Sequence, residues 1–114
     1  MNKVNVGGQE PQETRIKPTA IHIHGRRWFD RVNGNTYHTT SIFVDGEFLH
    51  KTEFSYGYGD HYIQTAQEWL EKNGYLPGLA IYPSGNKEML WQWCKVSNTK
   101  LITEVDDLPR KKDL

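Results

Sequence analysis

The sequence predicts an α+β fold: a three-stranded antiparallel meander, then one or two helices, then a C-terminal strand. Three observations carry this. Two turn signals, Asn33-Gly34-Asn35 and Asp45-Gly46, separate β-rich runs. A helical stripe of apolar residues follows them, and a short β-rich run closes the folded part. Asn-Gly and Asp-Gly supply the positive-φ positions of tight hairpin turns.

The strands are expected at about 20–32, 36–44 and 47–55. With Asp45-Gly46 at the centre of the second turn, Val44 faces Glu47 and Phe43 faces Phe48. Tyr37, Phe43, Phe48 and Phe54 then share one face. In the first hairpin a two-residue loop keeps Trp28 and Val32 on that aromatic face, whereas a three-residue loop turns Phe29 and Arg31 to it. The expected register pairs Val32 with Tyr37 and puts the aromatic face on the buried side, with Asp30 near Thr39 and Thr52. Gly25 interrupts the first strand, as a bulge would.

Tyr62, Ile63, Ala66, Trp69 and Leu70 recur at helical spacing, so a helix is expected at about 61–73. Asp60 suits its N-cap, and Gly74 its end before Pro77. A second helix is expected at about 86–96, capped by Asn86, with Leu90, Trp93 and Cys94 on one face. The alternative is a strand with Trp91 and Trp93 on one face. Lys100 to Val105 reads as the last strand.

Residues 1–18 are polar and carry Gly7, Gly8, Pro11 and Pro18, which reads as a flexible arm. The single folded domain is expected over 19–108, and the charged residues 109–114 as a solvated tail.

Composition bounds the function classes. The 114 residues carry 14 Lys+Arg and 14 Asp+Glu, a formal net charge of zero. That argues against a strongly basic nucleic-acid module and against an acidic DNA mimic. No apolar run nears the roughly 20 residues of a membrane span. The N-terminus shows no apolar core of a secretory leader. One cysteine, Cys94, makes neither an intramolecular disulfide nor a cysteine-rich zinc site. These readings point to a cytoplasmic protein with no cofactor and no membrane partner.

The candidate sites follow from local chemistry. Tyr56, Gly57, Tyr58, Gly59 and Asp60 precede a helix N-terminus. Glycines admit close approach of a ligand, the N-terminus offers free N–H groups, and tyrosines stack on rings. With Arg26 and Arg27 as cations, this is a candidate nucleotide or phosphate pocket. It has the spacing of neither a Walker loop nor a dinucleotide fingerprint. Equally, the loop is a strand-to-helix connection whose glycines relieve backbone strain. Arg26-Arg27-Trp28-Phe29 mixes cations with aromatics, as protein interfaces and single-strand nucleic-acid sites do. On a helix, Trp91 and Trp93 lie on different faces, which leaves one tryptophan exposed as an interface anchor. His22-x-His24 puts two imidazoles on one strand face, but no carboxylate or cysteine accompanies them at ligand spacing, so no metal is expected. His38, His50 and His61 are scattered. Ser41 lacks a nucleophile elbow, Cys94 a low-pKa setting, and His61 beside Asp60 is not by itself a dyad. Catalysis is not expected.

The segments GRRWFDRVNGNTYHT at 25–39, YGYGDHYIQTAQEWLEKNGYLP at 56–77 and the terminal RKKDL resemble a group of short, uncharacterised bacteriophage and prophage proteins. The resemblance transfers no catalytic or binding residue. It implies a small accessory protein in the bacterial cytoplasm that binds and modulates a host or defence protein complex. Arg26, Arg27, Tyr56, Tyr58 and Trp91 are the expected contacts. The alternatives are a nucleotide or nucleotide-signal binder, or a weak nucleic-acid binder. An edge strand also offers a route to a homo-oligomer.

Overall fold

The computed structural model describes residues 17–114. It has five strands, β1 (Ala20–Asp30), β2 (Asn35–Val44), β3 (Glu47–Lys51), β4 (Ser55–Tyr56) and β5 (Lys100–Leu108). Two helices, α1 (His61–Lys72) and α2 (Leu90–Val96), stand between β4 and β5. The order across the sheet is β3-β2-β1-β5, with β4 continuing the β2 edge beyond β3. The meander is antiparallel, and β5 joins it parallel to β1. The fold is therefore α+β around one mixed sheet.

The second hairpin has the expected register. Val44 pairs with Glu47 and Phe43 with Phe48. Asp45 and Gly46 both take positive φ, 51° and 84°, the signature of a primed two-residue turn. The Asp45 carboxylate also accepts from the N–H groups of Thr19 and Ala20, both at 2.8 Å, and so anchors the start of β1.

The first hairpin differs. Asp30 pairs with Asn35 and Trp28 with Tyr37, across a four-residue turn at 31–34. The expected Val32–Tyr37 pair is absent, and Val32 sits in the turn at 91% exposure. Asp30 is the reason. Its carboxylate accepts from the Val32 N–H at 3.0 Å and from Asn33 Nδ2 at 2.8 Å. Its carbonyl takes the Gly34 N–H at 2.7 Å. This Asx-type capping closes the turn earlier than an Asn-Gly count suggests. The bonds from Asn33 hold the Asp30 carboxyl below its ordinary pKa. The parity of the register survives, so Trp28 still meets Tyr37, at 6.1 Å between ring centroids.

The sheet face that is buried is not the aromatic one. Ile21, Ile23 and Ile42 are fully buried against Ala66 and Leu70 of α1. The aromatic residues occupy the opposite face, away from α1 and α2. There Trp28, Tyr37 and Phe54 stack in a row, with Tyr37 and Phe54 4.6 Å apart, and Phe43 packs between His22 and Phe48. Aliphatic residues won the interior because α1 brings its apolar stripe to the odd-numbered positions of β1.

Gly25 marks no bulge. It pairs regularly with Thr40, and a Cβ on it would lie 2.5 Å from the Tyr62 ring. Its glycine lets α1 close onto the sheet. The register shift lies instead between Ile42 and Phe43 on β2, opposite Leu49. Leu49 packs on the core and His50 stacks on Trp69 at 4.8 Å, so the irregularity turns two consecutive residues toward the helices.

In α1, Asp60 occupies the N-cap position but its side chain makes no capping bond. Gly74 ends the helix at φ 79°, with the Tyr75 N–H returning to the Leu70 carbonyl at 2.9 Å. α2 is helical as expected, but begins at Leu90. Residues 80–88 form a small hairpin instead. Tyr82 N–H donates to Asn86 O at 2.7 Å and Glu88 N–H to Ala80 O at 2.8 Å. Asn86 is consumed in that turn, and Met89 caps α2, its N–H donating to Gln92 Oε1 at 3.0 Å.

Of the expected arm at 1–18, residues 1–16 lie outside the described residues. Lys17 and Pro18 belong to the fold: Pro18 is buried, its carbonyl accepts from Thr99 Oγ1 at 2.8 Å, and Lys17 Nζ donates to the Ser97 carbonyl. At the other end, residues 109–114 turn back toward the aromatic face. Lys111 Nζ stands 5.0 Å from the Phe54 ring centroid, and Lys51 Nζ donates to the Leu114 carbonyl at 3.2 Å.

Candidate functional site

The YGYGD loop is held from below by two side chains of the sheet. His38 is fully buried on β2. Its Nδ1 faces the Gly57 carbonyl at 3.2 Å, and a carbonyl can only accept. Nδ1 therefore carries the proton, and Nε2 accepts from Thr65 Oγ1 at 2.8 Å. Burial depresses the His38 pKa, and the nearby His61 adds to the effect. The second clamp is Arg27, whose Nη1 donates to the Gly59 carbonyl at 2.9 Å. Its Nε and Nη2 donate to the two oxygens of Asp107, at 2.7 and 3.0 Å, a bidentate pair. That hydrogen-bonded carboxylate raises the Arg27 pKa, and Arg27 in turn lowers that of Asp107.

The glycines of the loop serve the loop itself. A Cβ on Gly57 would lie 2.5 Å from the His61 ring, at φ 156°. Gly59 has open space around it but a φ of 60°, in the left-handed region that glycine takes without strain.

Above this base lies a cleft of about 680 Å³. It is bounded by the YGYGD loop, by Ile63, Gln64 and Gln67 of α1, by Met89, Leu90 and Trp91, and by Leu101 and Thr103 of β5. Gln67 sets its width. Its Oε1 accepts from the Leu90 N–H and its Nε2 donates to the Glu88 carbonyl, both at 2.8 Å. These bonds pin the start of α2 to α1. On the inner face of α2, Trp93 is buried and donates its indole N–H to the Pro77 carbonyl at 3.0 Å. Trp91 is consequently turned outward, 56% exposed, opposite Tyr58 at 73% and beside Met89 at 45%.

The structure thus joins two features that are far apart in sequence, the YGYGD loop and Trp91. Tyr58, Gly57 and Trp91 border one cleft. Tyr56 also borders it, while its ring meets Tyr37 edge-on at 5.8 Å on the aromatic side. Gly59 and Arg27 line a smaller adjoining hollow with Phe29 and Asp107. Arg26 is not brought to the loop: alternation along β1 places it on the aromatic face, paired with Thr39 and Asp106 in register. Among the described residues no Lys or Arg lines the main cleft.

The two histidines of His22-x-His24 are engaged by β5. His22 Nε2 donates to Glu104 Oε2 at 2.5 Å and His24 Nε2 to Asp106 Oδ2 at 2.8 Å. The carboxylates come from a strand eighty residues away, which is why sequence spacing misses them. Among the described residues no three metal-ligating side chains converge. The Cys94 thiol is buried and its pKa is pushed up to about 11 by that burial. No described helix is long and apolar enough to cross a membrane.

Two site residues escape the sequence reading. His38 looks like one of several scattered histidines, yet its even spacing from Thr40 and Ile42 on a β-run places it on their face. Gln67 is a polar residue beside a buried helical stripe, and that position is its signal. No family model, curated protein or solved structure matches the chain.

Proposed function

We propose that this chain is a non-enzymatic binding protein that takes an apolar side chain of a partner protein into the cleft between Tyr58 and Trp91. The observation that carries this reading is the cleft's wall. Tyr58, Met89 and Trp91 are large, apolar and exposed, yet they stand on backbone fixed by His38, Arg27 and Gln67. Exposed aromatics on a prearranged backbone are what interface anchors need, since no backbone ordering is left to be done on binding.

The nucleotide reading has less to stand on. Its cations are elsewhere: Arg27 is committed to Asp107 and Gly59, and Arg26 faces away. Cys94 does not serve as a nucleophile in this reading, because burial raises its pKa and keeps the thiol protonated near neutral pH. The phage or prophage setting, with a host or defence complex as the partner, is proposed from the resemblance of the 25–39 and 56–77 segments.

The test is affinity capture from bacterial lysate with the full chain and with Trp91→Ala in parallel. A stoichiometric protein captured by the first and lost by the second is the expected result. Equal capture by both, or a nucleotide that co-purifies without protein, overturns it.

A further inference from the structure

We propose that the partner presents an extended segment, apolar and basic by turns, which adds as a strand to the free edge of β5. This rests on the cleft reading above and names the chemistry of its occupant. Among the described residues β5 pairs with β1 alone and forms one border of the sheet. Its inner edge is fixed by the Lys100 N–H, which donates to the Thr19 carbonyl at 2.9 Å. In a strand the peptide groups alternate in direction. The N–H and C=O groups of Leu101, Thr103, Val105 and Asp107 therefore point outward, as a row without strand partners.

The two faces of that border differ in chemistry. On the helix side, Leu101 and Thr103 form the floor of the cleft beside Met89 and Trp91. On the opposite side, Glu104 and Asp106 are exposed carboxylates, each holding a histidine of β1 through one oxygen. A strand laid along β5 alternates its side chains between these faces. Residues on one face meet the apolar cleft, and residues on the other meet the carboxylates, whose remaining lone pairs accept from Lys or Arg. Main-chain bonds supply affinity in this mode, and the alternating pockets supply selectivity.

The experiment selects short peptides from a random display library on the full chain and maps their binding by amide hydrogen exchange. The expected peptides alternate apolar and basic residues and slow exchange at Leu101, Thr103, Val105 and Asp107. N-methylation of the peptide residues that face β5 should weaken binding about tenfold, while methylation of the alternate ones leaves it unchanged. Peptides that bind, depend on Trp91 and ignore both methylation patterns overturn strand addition but leave the cleft reading standing. Selection of no peptide overturns both. Slowed exchange at the same amides that grows with protein concentration, without peptide, makes the occupant a second copy of this chain and overturns the partner assignment.

Discussion

The two faces of the sheet are made by alternate residues of the same strands, yet they are stabilised differently. Under the helices the work is done by burial: Ile21, Ile23 and Ile42 lose all contact with water. On the aromatic face it is done by pairs, with rings stacked or edge-on against rings and imidazoles on carboxylates. Burial is cooperative, because each removed atom leaves a void bordered by many neighbours. Exposed pairs are nearly independent and individually weak. The covered face therefore holds the fold, and the surfaces beside it are freer to change for binding.

This contrast predicts a ranking. Ile23→Ala, at the centre of the covered face, should cost about 2–5 kcal/mol. Phe48→Ala on the other face should cost clearly less. Urea unfolding of both variants checks this, and equal losses would break the comparison. Gly25→Ala should cost about 1–3 kcal/mol, because the new methyl collides with the Tyr62 ring and α1 must move. Tyr62→Leu in the same background should restore part of the loss if the collision is the cause.

His38 makes the covered face sensitive to acid. Its folded pKa lies below its ordinary value of 6.5, so the unfolded chain binds the proton more readily. The stability it contributes is complete above about pH 6.5 and falls as pH drops toward the folded pKa. Urea midpoints measured downward from pH 7 should decline in this window, and His38→Gln should flatten the decline. A profile unchanged by the substitution would remove His38 as the cause.

The smaller effects concern the cleft. Arg27→Lys keeps the charge but loses the bidentate fork, so stability should fall by about 0.2–1 kcal/mol. Exchange at the Gly59 and Asp60 amides should quicken. Trp91→Ala should change stability by less than about 0.5 kcal/mol, because more than half of its surface stays in water, while partner capture is lost. A large stability loss in Trp91→Ala would reassign that tryptophan from anchor to core.

Much of the fold is legible in local chemistry. Asp45-Gly46 specifies its own turn geometry, so the Phe43–Phe48 pair follows by counting. The α1 stripe and Gly74 mark a helix because both periodicity and termination are short-range signals. The first hairpin shows the limit of counting. Asp30 reaches two and three residues forward with its carboxylate, and that competition shifts the register while preserving its parity. The site is legible in parts: Tyr58, the loop glycines and Trp91 stand out as residues, but their convergence does not.

The sequence by itself determined the meander, the two helices, the last strand and the second hairpin, because turns, helix periodicity and glycine conformation are decided within a few residues. Tertiary structure alone decided which face is buried, that β5 lies parallel to β1, and what holds each charged group. Arg27 reads as a free cation until Asp107 arrives beside it, and His22-x-His24 reads as a bare pair until Glu104 and Asp106 do. Those partners lie about eighty residues along the chain. Only the closing of the sheet brings them within bonding distance, and no local pattern encodes a contact of that range.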